Sequence, residues 1–242
     1  FESEIRRFNQ DANPGLLRIA LKMATGTGKT VVIAMLVAWQ TLNKAANQQD
    51  GRFKDAFLLV CPGITIRDRL RVVLPSDPNN YYDERDLVPP ELKDGLGRAR
   101  VVITNFHALR LKEKVKAPKV TKQILAGRSD EAGVFTETPD QMASRVLREL
   151  GGNKKNIVVF NDEAHHCYRR KPGAVDELVE SLKGQEKTEA SKRDEEARVW
   201  ISGLEAIAAK VGIRAVYDLS ATPFFLSGSG YPEGTLFPWV VS

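Results

Sequence analysis

The sequence predicts an α/β domain, a mostly parallel central sheet with helices on both faces. Two observations carry this prediction. Short apolar runs rich in β-branched residues, at 16–23, 56–61, 100–104, 156–162 and 213–220, read as strands buried on both faces. Helical patterns at 28–45, 65–74, 139–150 and 190–211 alternate with them, the order that builds a parallel sheet. The 242 residues suffice for a single large domain.

Composition narrows the classes. A formal charge of +5, from 36 Lys and Arg against 31 Asp and Glu, is compatible with a polyanionic partner without demanding one. Two cysteines, Cys61 and Cys167, offer no disulfide framework, which fits a reducing, cytoplasmic setting. No apolar run reaches membrane-spanning length and no signal peptide is visible, so no membrane partner is expected. The chain opens on Phe1 rather than Met, as an excised fragment would.

The first run leads into "MATGTGKT" (23–30), which nearly spells the phosphate loop G-x-x-x-x-G-K-[ST], with Met23 in place of the first glycine. Gly26 and Gly28 allow the backbone to pass close to phosphate oxygens. Lys29 is placed to meet the β- and γ-phosphates, and the Thr30 hydroxyl to ligate Mg²⁺. Thr25, Gly26, Thr27, Gly28, Lys29 and Thr30 form the expected nucleotide-binding set, and helix 28–45 aims its N-terminus at the anion.

The second run opens "CPGITIRDRL" (61–70), with Thr65 as the expected helix N-cap. Ile66, Leu70 and Leu74 share one helix face, and Arg67 and Arg71 another, where they suit backbone phosphates or simply face solvent. The third run ends in "TNFHAL" (104–109), where Thr104, Asn105 and His107 could hydrogen-bond a nucleic-acid strand; His107 is equally readable as an ordinary loop histidine. Residues 112–133 are lysine-rich and read as an inserted or flexible segment.

The fourth run ends in "VVFNDEAHHCY" (158–168), which delivers Asp162 and Glu163 to the strand end where α/β sheets bind ligands. Asp162 can hold Mg²⁺, and Glu163 can orient and deprotonate a water, so the pair favours nucleotide hydrolysis over phosphate transfer to a bound acceptor. Zinc ligation by His165, His166 and Cys167 is disfavoured, because three consecutive side chains do not easily converge on one ion. Residues 183–198, dense in alternating charge, read as a flexible linker entering an exposed helix. The fifth run ends in "LSATP" (219–223), and residues 224–242 look like an exit toward a second lobe.

"ATGTGKT", "DEAH" and "LSATP", in that order and each at a strand end, resemble motifs I (23–30), II (161–166) and III (219–223) of superfamily 2 helicases and translocases. Segments 61–70 and 103–109 resemble motifs Ia and Ib, and the wording of the motifs is similar to the Res subunits of type III restriction systems. The resemblance implies a RecA-like P-loop NTPase fold, with ATP and Mg²⁺ as cofactors. It implies catalytic roles for Lys29, Asp162 and Glu163, and coupling of phosphate state to nucleic-acid grip through His165, Ser220 and Thr222. Sequence-independent backbone contacts to DNA, a second RecA-like lobe with arginine fingers and a methyltransferase subunit are the implied partners. Alone, this lobe is expected to bind ATP weakly and hydrolyse it slowly. Gln10 is not expected to read adenine, since it precedes "DANPG", taken as a loop.

Two other readings remain. One is a P-loop ATPase or phosphotransferase module without nucleic-acid coupling. The other is a nuclease built on "PSD" (75–77) and "ELK" (91–93), weakened because Pro89 and Pro90 leave no strand to carry Glu91.

Overall fold

The five apolar runs fold as strands: β1 Arg18–Lys22, β2 Ala56–Cys61, β3 Arg100–Asn105, β4 Ile157–Asp162 and β5 Ile213–Ser220. The computed structural model describes residues 2–13, 15–113, 136–168, 185–224, 236–237 and 240–241. With β6, Val240–Val241, the strands form one parallel sheet in the order β3-β2-β4-β5-β1-β6. The expected α/β, RecA-like architecture is the one observed.

Alternate residues of each strand serve opposite faces, which is why the runs needed no polar positions. In β2, Leu58 and Val60 pack with Val159 and Trp200 on one side, while Phe57 and Leu59 pack with Phe160, Ile33 and Val37 on the other. Helix α2 (Lys29–Ala46) covers the second face, together with α3 (Ile64–Arg69) and the tight turn Leu70–Val73 that continues it. The first face carries α4 (Pro139–Val146) and α5 (Gln185–Val211). A capping box fixes the start of α4: the Thr138 hydroxyl accepts from the Gln141 N–H, and the Gln141 side chain accepts from the Thr138 N–H. No helix among the described residues is long and apolar enough to cross a membrane.

Several expectations need correction. Residues 2–12 form a helix, α1, so Asp11 and Ala12 are helical rather than looped. The side chain of Asn9 clamps α1 to the start of β1, accepting from the Arg18 N–H and donating to the Arg18 carbonyl, both at 2.8 Å. From Gln185 onward the charge-dense stretch is helix, because α5 extends to meet it. The tail expected to leave after 224 returns: Phe237 is buried beside Ala20, and Val240 pairs with Ala20 at the sheet edge. The body of the lysine-rich segment, 114–135, lies outside the described residues.

Candidate nucleotide site

Strand register brings the motif-bearing loops to one rim. Lys22 sits opposite Ser220, Asp162 opposite Leu219, and Cys61 opposite Asn105, so every candidate loop leaves the same end of the sheet. The Met23 N–H donates to the Ser220 carbonyl at 2.9 Å, tying the start of the phosphate loop to the end of β5.

Within the loop, Gly26 (φ 83°) and Gly28 (φ 91°) occupy the left-handed region that other residues resist. Gly28 sits at the N-cap of α2 with no side-chain cap, so the first-turn N–H groups remain open to an anion. Thr27 closes the loop on itself, its hydroxyl donating to the Ala24 carbonyl at 2.7 Å. Thr25 and Gly26 are exposed, and Thr30 is half-buried in the first turn of the helix.

Lys29 and Glu163 meet directly. Nζ of Lys29 lies 2.6 Å from Oε1 of Glu163, 134 positions away in sequence. The ammonium that the sequence places at the β- and γ-phosphates rests on this carboxylate instead. Glu163 adopts a left-handed backbone (φ 51°, ψ 49°), a strained conformation for a residue with a side chain. The adjacent Asp162 is buried, and burial, then the neighbouring Glu163 charge, push its carboxyl above the usual range.

His165 joins this pair to β5. Its Nδ1 is hydrogen-bonded to Ser220 Oγ at 3.3 Å and lies 3.5 Å from Glu163 Oε2. Burial, then His166, hold the His165 pKa below its ordinary value, so the ring is neutral at pH 7. Ser220 Oγ also accepts from the Thr222 N–H at 3.1 Å. Thr222 thus meets Ser220 through its backbone amide. His166 turns toward Glu196 and Cys167 is buried with its thiol on the Ala164 carbonyl, so the three do not converge. Among the described residues no group of three or more His, Cys, Asp or Glu could hold a metal ion.

Behind the site lies a network that the sequence did not reveal. Arg18 and Asp218 form a fully buried ion pair at 2.8 Å between β1 and β5. Asn161 donates to Asp218 at 2.7 Å and accepts from the Trp200 indole at 3.0 Å, while Arg18 also reaches the Cys167 sulfur at 3.1 Å. These contacts brace the strand and turn that carry Asp162 and Glu163. Charged letters inside the apolar runs "LLRIALK" and "RAVYDLS" were the available signal.

The nucleic-acid candidates occupy the far end of the same rim. The N-cap of α3 is Gly63 rather than Thr65, which sits exposed in the first turn. Arg67 pairs with Asp68 at 3.1 Å and Arg71 with Asp77 at 3.4 Å. Asn105 caps the following turn by accepting from the Ala108 N–H at 3.2 Å, and the Thr104 hydroxyl donates to the Asn105 carbonyl at 3.4 Å. His107 is exposed and lies tilted against Phe106, ring centroids 4.0 Å apart. The nuclease residues are engaged elsewhere: Asp77 with Arg71, Lys93 with Asp83, while Glu91 stands exposed in a short turn.

A family model described as "Type III restriction enzyme, res subunit" matches residues 2–224. No curated protein and no solved structure shows a significant match to the chain. That family model is the helicase-like motor domain of superfamily 2 and carries a helicase-like ATP-binding domain that generally uses ATP with Mg²⁺. The chain belongs to the type III restriction enzyme Res-subunit family.

Proposed function

We propose that this chain is the ATP-binding lobe of an ATP-dependent DNA translocase or helicase from a type III-like restriction endonuclease, acting in the cytoplasm. The observation that carries the reading is the Lys29–Glu163 contact at 2.6 Å, with His165 linking Glu163 to Ser220. The uncapped α2 N-terminus and the backbone of Thr25–Thr30 take the phosphates. An entering triphosphate offers Lys29 a more highly charged partner than one carboxylate, so the ammonium transfers to it. Glu163 is then free to accept the proton of the attacking water.

The donor set at Asp162 and Thr30 suits Mg²⁺: hard oxygen ligands, too few for a protein cage, one of them a carboxyl whose charged form burial penalises. When bound, Mg²⁺ would neutralise charge on the phosphates, held by Asp162 and the Thr30 hydroxyl.

His165, Ser220 and Thr222 transmit the phosphate state to the rim, where Arg67, Arg71, Thr104, Asn105 and His107 grip the DNA backbone without reading bases. A second lobe completes the site with arginine fingers, and a modification methyltransferase is the natural partner subunit.

The test is Mg²⁺-dependent phosphate release with and without DNA, with both lobes present. The proposal expects hydrolysis that DNA of any sequence stimulates and that falls steeply with salt. Tight ATP binding with turnover indifferent to DNA would favour an uncoupled P-loop module instead, and DNA cleavage by Mg²⁺ alone would favour the nuclease.

A further inference from the structure

We infer that the opposite rim of the sheet carries a second binding site, for a nucleoside phosphate. It goes beyond the proposed function and would survive that function's failure.

The site is a cleft of about 880 Å³ whose walls are residues that precede strands. Leu17 comes just before β1, Lys54 before β2, Asn156 before β4, and Arg214 stands at the start of β5. The cleft therefore opens at the N-terminal ends of the strands, away from Lys29. Gln10 lines it too, which places that residue on the wrong rim to read an adenine held by the phosphate loop.

Its charge has one sign. Arg6, Arg52, Lys54 and Arg214 line it, and no acidic side chain is among the described lining residues. Of the nearby acids, Asp55 is engaged by Lys154 at 2.6 Å, and Asp50 by the cleft's own Arg52 at 2.7 Å, so Arg52 adds little net charge to the site. Lys54 and Arg214 are both half-buried, and neither forms an ion pair among the described residues. Two like charges held together in a concave site favour an anion between them. Burial, then Lys44 and Arg214, hold the Lys54 ammonium pKa below its ordinary value, which agrees with this crowding.

Beside the cleft lies a hollow of about 360 Å³ that shares Leu17, Arg52 and Arg214 with it. Trp39, Phe53 and Tyr217 line the hollow. Trp39 is half exposed at 50%, unusual for the largest apolar side chain, and stands edge-on to Phe53 at 5.3 Å. An aromatic hollow joined through Arg214 to an anion-favouring cleft fits a planar base attached to a phosphate. Stacking on such rings tolerates any base. The two volumes fall in the range of small-molecule sites, which suits a single nucleotide unit.

The experiment uses the chain with Lys29→Ala, so that the phosphate loop contributes little, and titrates AMP by calorimetry without Mg²⁺. Saturable binding is expected. Replacing both Lys54 and Arg214 by Ala should weaken it at least about tenfold, the loss expected for two charge-assisted contacts. Trp39→Ala should weaken AMP but not inorganic phosphate. Lys54→Gln, milder than the double change, gives the same readout should the double variant lose its fold. No AMP binding overturns the site. So does binding indifferent to Lys54 and Arg214, or inorganic phosphate bound as tightly as AMP. A short single-stranded oligonucleotide bound through these residues where AMP is not would also overturn it, in favour of an extended polyanion.

Discussion

The candidate nucleotide site and the proposed nucleic-acid strip share one rim of the sheet but are held by different kinds of contact. Around β1, β5 and β4, side chains meet across strands: Lys29 with Glu163, His165 with Ser220, and behind them the buried Arg18–Asp218–Asn161–Trp200 chain. Around β2 and β3, partners are neighbours in sequence: Arg67 pairs with Asp68, both exposed, and half-buried Asn105 caps the turn at Ala108. Exposed local pairs contribute about 0–1 kcal/mol each, so they yield readily to a phosphate. Contacts that only the fold can make define a geometry. The first region is a built site, and the second is a surface able to exchange partners.

Asp218→Ala should break this contrast most severely, because it strands Arg18 in a buried setting. Denaturant unfolding should show a loss of about 3–5 kcal/mol; a loss below about 1 kcal/mol would mean that the network does not brace the site. Gly203→Ala tests a rigid support of the strip. A Cβ there would sit 2.6 Å from the Leu109 Cβ, in the turn after Asn105, so α5 and that turn must separate. Expected is a loss of about 1–3 kcal/mol, with DNA binding weakened more than ATP binding.

Asp162→Asn probes the built site through pH. A carboxyl raised above its usual range binds its proton more tightly in the folded state. Its contribution to stability is thus greatest at acid pH and is lost as pH rises through the folded-state pKa. In metal-free buffer the variant should melt higher than the parent at pH 7, and the advantage should vanish below about pH 4, near the unfolded Asp value. An advantage that persisted at acid pH would assign the effect to something other than ionisation. The smallest effect belongs to Arg67→Ala and Arg71→Ala. Stability should change by less than about 0.5 kcal/mol. The salt dependence of DNA binding should flatten by about 0.9 per phosphate contact removed. An unchanged slope would leave both arginines as surface ion pairs.

The strands and the motif-bearing loops were legible because each is one contiguous stretch, its pattern set by local sterics and two-sided burial. The buried network was not: Arg18 and Asp218 lie 200 positions apart, each a single charged letter in an apolar run. Helix α1 was hidden by its polar composition, since of its described side chains only Ile5 and Asn9 turn inward. The Gly- and Pro-rich tail read as an exit, while Phe237 and Val240 are what return it to the sheet. The closed distance between Lys29 and Glu163 was unreadable for another reason. Motif order says which side chains share a site, and only the fold says whether they touch.

The central claim is that Glu163 is the base and that Lys29 releases it on nucleotide binding. Single-turnover hydrolysis and ATP affinity, measured together on Glu163→Gln with Mg²⁺, DNA and both lobes present, test it most directly. The account predicts hydrolysis slowed by about 10²–10⁴-fold, with ATP bound as tightly as by the parent or more so, because a neutral amide no longer competes for the Lys29 ammonium. Turnover within a few-fold of the parent, or ATP binding lost along with hydrolysis, would contradict it.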